Sequence, residues 1–146
     1  MLLLVLLGFG ISANASAADR YKWITSNDEV TILYDVQSIR FDSTYGKTVD
    51  VWYLWQYNDE GARNKVERLR KKGVCQENKW DNFSYILEHD ILNSNNQYKT
   101  LECVYYDAQG NVLHSLKNTY PEWQSVVPGS LGELTYNAFA VFLKGK

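Results

Sequence analysis

Between Thr48 and Tyr57 the chain alternates with a period of two. Val49, Val51, Tyr53, Trp55 and Tyr57 fall in one row, Trp52 and Leu54 in the other. Alternation of this kind sends successive side chains to opposite faces of a strand, and apolar residues in both rows predict a strand near the middle of a sheet. Shorter runs flank it. "RYKWITSNDEVTILYD" predicts two strands broken at Ser26-Asn27-Asp28, with Val30, Ile32, Tyr34 and Val36 sharing one face of the second. "SIRFD" predicts another strand before a turn at Gly46. Downstream, "NFSYILEHDI" resumes the period, with Phe83, Tyr85, Leu87, His89 and Ile91 in one row. "NSNNQ" reads as a loop, and "YKTLECVYYDAQGNVLHSLKN" as a hairpin turning at Asp107-Ala108-Gln109-Gly110. The strand exits Tyr57-Asn-Asp-Glu-Gly61 and Tyr106-Asp-Ala-Gln-Gly110 share their turn chemistry and read as similar.

Two segments change period. In "DEGARNKVERLRKKG", Ala62, Val66 and Leu69 form the stripe of a short amphipathic helix ended by Gly73. Near the end of the chain Pro128-Gly129 stops a strand, and Ser130 with Glu133 forms a capping box. Leu131, Leu134, Ala138 and Val141 then make the stripe of a C-terminal helix. A sheet with an apolar face needs a cover, and this helix is expected to supply it. Phe139 and Phe142 widen its apolar surface, either as core residues or as the seam of a homodimer. The expected fold class is α+β: an antiparallel β-sheet with a short middle helix and a C-terminal helix packed on the sheet.

The first twenty residues follow another logic. An apolar run from Leu2 to Ile11 leads to Ala15-Ser16-Ala17, the pattern of a secretory signal peptide with its cleavage site. Residues 1–17 are therefore expected to be a cleaved leader and 18–146 a single domain. The run is shorter than the roughly 20 residues of a membrane span, so the cleaved chain is expected not to span a membrane. Export places it at the cell surface, in the medium or in the periplasm.

A net charge of −2 removes one class of partner. Nucleic-acid binding needs a basic face to neutralise phosphates, and none is expected here. Basic residues do cluster around Arg63, Arg68, Lys71 and Lys72. They read either as a solvated helix face with i,i+4 pairing or as a patch for an acidic protein or glycan. Exposed aromatics on an uncovered sheet face are the stronger binding candidates, because Trp and Tyr dominate binding hot spots. Trp52, Trp80 and Trp123 are the residues selected.

Catalytic chemistry finds little support. In "LEHD", His89 points away from Glu88 and Asp90 on a strand, so the three cannot converge on one ion. His89 reads as a packed, hydrogen-bonded histidine. No nucleophile elbow or phosphate loop occurs in the domain. The chain is expected not to be an enzyme and to carry no metal or cofactor. Two cysteines in an exported chain, Cys75 and Cys103, read as a disulfide, with two free buried thiols as the alternative. Such a bridge would contribute about 3–4 kcal/mol by loop entropy.

The motifs "ILYDVQSI", "VDVWYLWQYNDEG", "VERLRKKG", "NFSYILEHD", "VYYDAQGNVLHS" and "WQSVVPGSLGELTYN", in this order, resemble the bacterial surface-adhesin protein E-like domains. The resemblance covers nearly the whole of 18–146. It implies an envelope protein with a helix packed on an antiparallel sheet, and adhesion to a host extracellular matrix protein; the alternatives are a periplasmic or envelope structural protein without a host ligand, and a carrier of a small ligand in a pocket between helix and sheet. It also implies a disulfide from the C-terminal helix to the sheet, yet Phe139, Ala140, Val141 and Phe142 stand where that cysteine would be. A replacement bridge between Cys75 and Cys103 is expected, with Phe139 and Phe142 holding the helix by apolar packing.

Overall fold

The computed structural model describes residues 17–145. Residues 1–16 of the expected leader lie outside the described part of the chain. A single helical turn, α1 (Ala17–Arg20), leads into β1 (Tyr21–Ser26), β2 (Val30–Asp35), β3 (Arg40–Asp42) and β4 (Thr48–Tyr57). Helix α2 (Asp59–Lys71) and a 3-10 turn (Asn78–Asn82) precede the long strands β5 (Phe83–Asn93) and β6 (Gln97–Asp107). Strands β7 (Val112–Lys117) and β8 (Gln124–Ser125) are followed by α3 (Leu131–Asn137) and α4 (Ala140–Lys144). The strands form one antiparallel sheet in the order β1-β2-β4-β5-β6-β7, with β3 beside the start of β4 and β8 beside the start of β6. The fold is α+β, with the middle helix and the C-terminal helices on the sheet.

Strand β4 lies near the middle of the sheet, as its two apolar rows require. Its Val49, Val51 and Tyr53 are fully buried beneath Tyr136, Phe139 and Leu143 of the C-terminal segment. The same row continues through Trp55 and Tyr57 under α2, where Val66 and Leu69 meet Trp80, Phe83, Ile86 and Tyr105. Both helical covers therefore use one face. Helix α2 starts hard against the β1–β2 turn: Asn58 Oδ1 accepts from Gly61 N at 2.8 Å, and the Asn58 amide donates to Glu29 O at 3.0 Å. A Cβ on Gly61 would collide with that Glu29 carbonyl. Gly61 thus sits inside a helix, whereas Gly110 sits in a turn at φ 86°. The two strand exits that look alike in sequence are different structures.

The C-terminal cover departs from the expected stripe. Its capping box is present, with Glu133 N donating to Ser130 Oγ at 3.2 Å and Gly129 N to Glu133 Oε2 at 2.8 Å. The helix then breaks at Ala138–Phe139 and restarts as α4. The break rotates the buried surface onto Thr135, Tyr136, Phe139 and Leu143, and leaves Leu134 at 43 % and Val141 at 75 % exposed. Phe139 is core, edge-on to Tyr34 with ring centroids 5.4 Å apart. Phe142 is half-buried against Phe41.

Two further expectations are corrected. A register shift between Phe83 and Tyr85 turns Phe83 to the helix side, out of the row that continues through Tyr85, Leu87 and His89. The bridge between Cys75 and Cys103 is not formed, and both thiols are free. Each sulfur is turned to a different polar group: Cys75 Sγ lies 3.7 Å from Val66 O beneath α2, and Cys103 Sγ lies 3.6 Å from Glu88 Oε2 on the neighbouring strand. Burial raises both thiol pKa values above the usual range, which keeps them protonated and unreactive.

Candidate functional site

The other face of the sheet receives neither helical cluster. The registers of β2, β4, β5 and β6 bring Leu33, Leu54, Leu87 and Val104 into a line across four strands. Aromatic side chains surround this line. Trp52 pairs with His89 across β4 and β5, and their rings stack at 4.6 Å with an interplanar angle of 13°. His89 Nε2 lies 2.7 Å from Asp50 Oδ1, which fixes the ring plane and so the Trp52 surface above it. Tyr85 and Tyr106 stack in the same way across β5 and β6, beyond the Leu87–Val104 pair, at 4.7 Å and 9°. Burial pushes Tyr85 up to about 12, so its hydroxyl stays protonated and able to donate. At the outer edge Trp23, 64 % exposed, is held by its Nε1 bond to Ser26 Oγ at 2.9 Å.

A groove of about 520 Å³ crosses this face between Arg20 and Asp35 on one side and Glu102 on the other, with Trp52, Leu87 and Tyr106 among its walls. The Arg20–Asp35 pair is internally complete. Both guanidinium contacts, at 3.0 and 2.6 Å, go to Asp35 Oδ2, while Oδ1 accepts from Gln37 N at 2.9 Å. The groove therefore offers apolar and aromatic surface edged by the paired Arg20 and Asp35 and by Glu102, the composition of a protein-recognition surface. Among the described residues no group of three His, Cys, Asp or Glu side chains is placed to hold a metal ion. No described helix is long and apolar enough to cross a membrane.

The residues selected from sequence separate into three groups. Trp52 lies at the centre of the uncovered face. Trp123, 40 % exposed, borders it: Lys99 Nζ sits 4.7 Å from its ring centroid, and Lys99 pairs with Ile91. Trp80 is 2 % exposed and belongs to the core under α2, where no partner reaches its ring. Among the basic residues, Arg68 pairs with Glu29 at 3.5 Å and Lys71 with Glu67 at 2.8 Å, so two of the four charges are already answered. Arg63 and Lys72 are exposed on the same segment. The selection missed Tyr85, Tyr106 and Asp50. The parity of Asp50 with Trp52 and of Tyr85 with His89 was readable, but the cross-strand registers that bring these residues and Tyr106 together were not.

The chain matches the family described as Surface-adhesin protein E over residues 21–139. It belongs to that family. The span shared with Surface-adhesin protein E runs from the first residue of β1 to Phe139, and so includes every strand, α2 and the buried turn of α3. Comparison with curated proteins and with solved structures returns no match.

Proposed function

We propose that this member of the Surface-adhesin protein E family is an exported, non-enzymatic binding module that holds a host extracellular matrix protein against its uncovered sheet face. The observation that carries this reading is the Trp52–His89–Asp50 stack beside the Tyr85–Tyr106 stack, on a face that no helix covers. Flat, rigid aromatic area costs little conformational entropy to use, and supplies the largest contributions at protein interfaces. The alternative of an acidic glycan on α2 loses ground, because Arg68 and Lys71 spend their charge on Glu29 and Glu67.

Surface plasmon resonance of the domain 18–146 over a panel of immobilised matrix proteins tests the proposal. Saturable binding is expected to at least one of them. Trp52→Ala should weaken it by about tenfold or more, whereas Arg63→Ala combined with Lys72→Ala should change it little. No saturable binding to any matrix protein, or binding that survives the loss of Trp52, overturns the reading. Protease treatment of intact cells checks the location: cutting of this domain while a periplasmic control survives is the outcome expected of a surface protein.

A further inference from the structure

We propose that the cavity between the sheet and α3 is a binding site for a small organic cation carrying an ammonium group. The cavity encloses about 470 Å³, on the face opposite to the uncovered one. Trp55, Glu88, Asp90 and Tyr98 line its sheet side, and Leu131 and Tyr136 its helix side. Glu88 and Asp90 reach it together because they stand two residues apart on β5, directed to the helix side, while His89 between them is directed to the open face.

Three features define the ligand. First, neither carboxylate forms an ion pair among the described residues. Asp90 is only 4 % exposed, and its Oδ1 has no hydrogen-bond partner. A buried acceptor of this kind is costly until a donor meets it. Second, the walls are aromatic. Trp55, Tyr98 and Tyr136 line the cavity together with the acid pair, and a cation that reaches a ring face gains from its quadrupole in addition to the carboxylate charge. Third, the volume is far larger than the roughly 30 Å³ share of one water, and lies in the range of small-molecule sites.

The same residues argue against other ligands. A metal ion would need a third ligating side chain, and none is placed to serve among the described residues. An anion would meet two carboxylates, and the Glu133 amide in the first turn of α3 already donates to Ser130 Oγ. An ammonium group donates up to three hydrogen bonds, enough to engage Asp90 Oδ1 and Glu88 together, while its alkyl body lies along Leu131 and the rings.

In the free protein a proton does part of this work. Burial, followed by the pair's mutual repulsion, raises Asp90 to about 8, and burial raises Glu88 as well. The cation then replaces the proton, so binding releases protons and strengthens as the pH rises through about 8. The other titratable groups facing the pair are Tyr53, Tyr57, Tyr98, Tyr105, Cys103 and Lys65. The phenols and the thiol are raised, so they stay neutral over that interval. Lys65 is lowered by burial and stays outside the cavity lining.

Isothermal titration calorimetry of the domain 18–146 with n-butylammonium, and with n-butanol as its neutral counterpart, tests the site. Saturable binding of butylammonium near pH 8, absence of butanol binding, and proton release seen across buffers of different ionisation enthalpy are expected. Asp90→Asn should weaken butylammonium by about tenfold or more. Glu88→Gln should do the same at a second position, so one unfolded variant does not end the experiment. Equal binding of butanol, undiminished binding by both variants, or no heat at millimolar amine overturns the proposal. An Nα-acetyl-lysine methylamide titration assigns the source: tighter binding than butylammonium points to a protein lysine, weaker binding to a free amine. Trp52→Ala should leave amine binding unchanged, which keeps this result separate from that of the matrix-protein experiment.

Discussion

Replacing Phe139 with alanine is the most direct measure of what holds the C-terminal cover on the sheet. Phe139 is 6 % exposed and lies edge-on to both Tyr34 and Tyr53, with ring centroids 5.4 and 6.4 Å away. Truncation of a phenylalanine in a core costs about 3–5 kcal/mol, including the cavity left behind. The two edge contacts place this position toward the upper half of that range. Phe142 is the internal control. It is half-buried, its main ring partner Phe41 is itself 55 % exposed at 4.5 Å, and a side chain that buries about half its surface is worth about 1 kcal/mol. Urea unfolding followed by tryptophan fluorescence should therefore show Phe139→Ala less stable than Phe142→Ala by about 3–4 kcal/mol, with the same dependence on urea. Equal losses for the two variants, or a cost for Phe139→Ala below about 1 kcal/mol, would refute the reasoning. The cover would then be held by something other than the ring that enters the sheet.

Two more outcomes follow from buried groups. Reductant should leave the melting temperature of the domain unchanged, and a thiol reagent should react with both cysteines rapidly only after unfolding, since Cys75 is 1 % exposed and neither sulfur is bridged; a reductant-dependent fall in melting temperature would show a bridge instead. Asp90 has a folded pKa raised from 3.8 to about 8, so the folded state binds the extra proton, and its contribution to stability is fully present below about 4 and is lost as the pH rises through about 8. Urea midpoints measured across that interval should fall in the parent protein and flatten in Asp90→Asn, which keeps a neutral side chain there; identical profiles would count against the buried acid.

The parts of the fold that rest on local chemistry were legible. The double row of β4, the α2 stripe of Val66 and Leu69, and the Ser130–Glu133 cap each depend on residues a few positions apart, and each is found. Parity alone also separated His89 from Glu88 and Asp90. What was hidden depends on register and on breaks. The extra residue near Ser84 moves Phe83 across the sheet, and the interruption at Ala138–Phe139 exchanges Leu134 and Val141 for Tyr136 and Leu143 as buried residues. Trp80 looked like a surface aromatic because its 3-10 turn carries no periodic signal, yet it fills the core under α2. The burial of Glu88 and Asp90 needed knowledge of which face α3 covers. As charged residues alternating with the row of Leu87, His89 and Ile91 they read as the solvent side of the strand, whereas Val51 and Tyr53, their partners on β4, are fully buried.

The division of the sheet into a helix-covered side and an uncovered side also shapes how such a protein can diverge. Neighbouring positions along β4 and β5 answer to different demands: Val51 and Tyr53 to the interior, Trp52 and His89 to whatever meets the surface. Open-face positions such as Trp52 and His89 can therefore be exchanged while the alternate residues, and Leu54 buried beside them, preserve the fold. Descendants could differ widely in what they adhere to and still be built on one scaffold, with the two kinds of substitution interleaved one residue apart along the same strands.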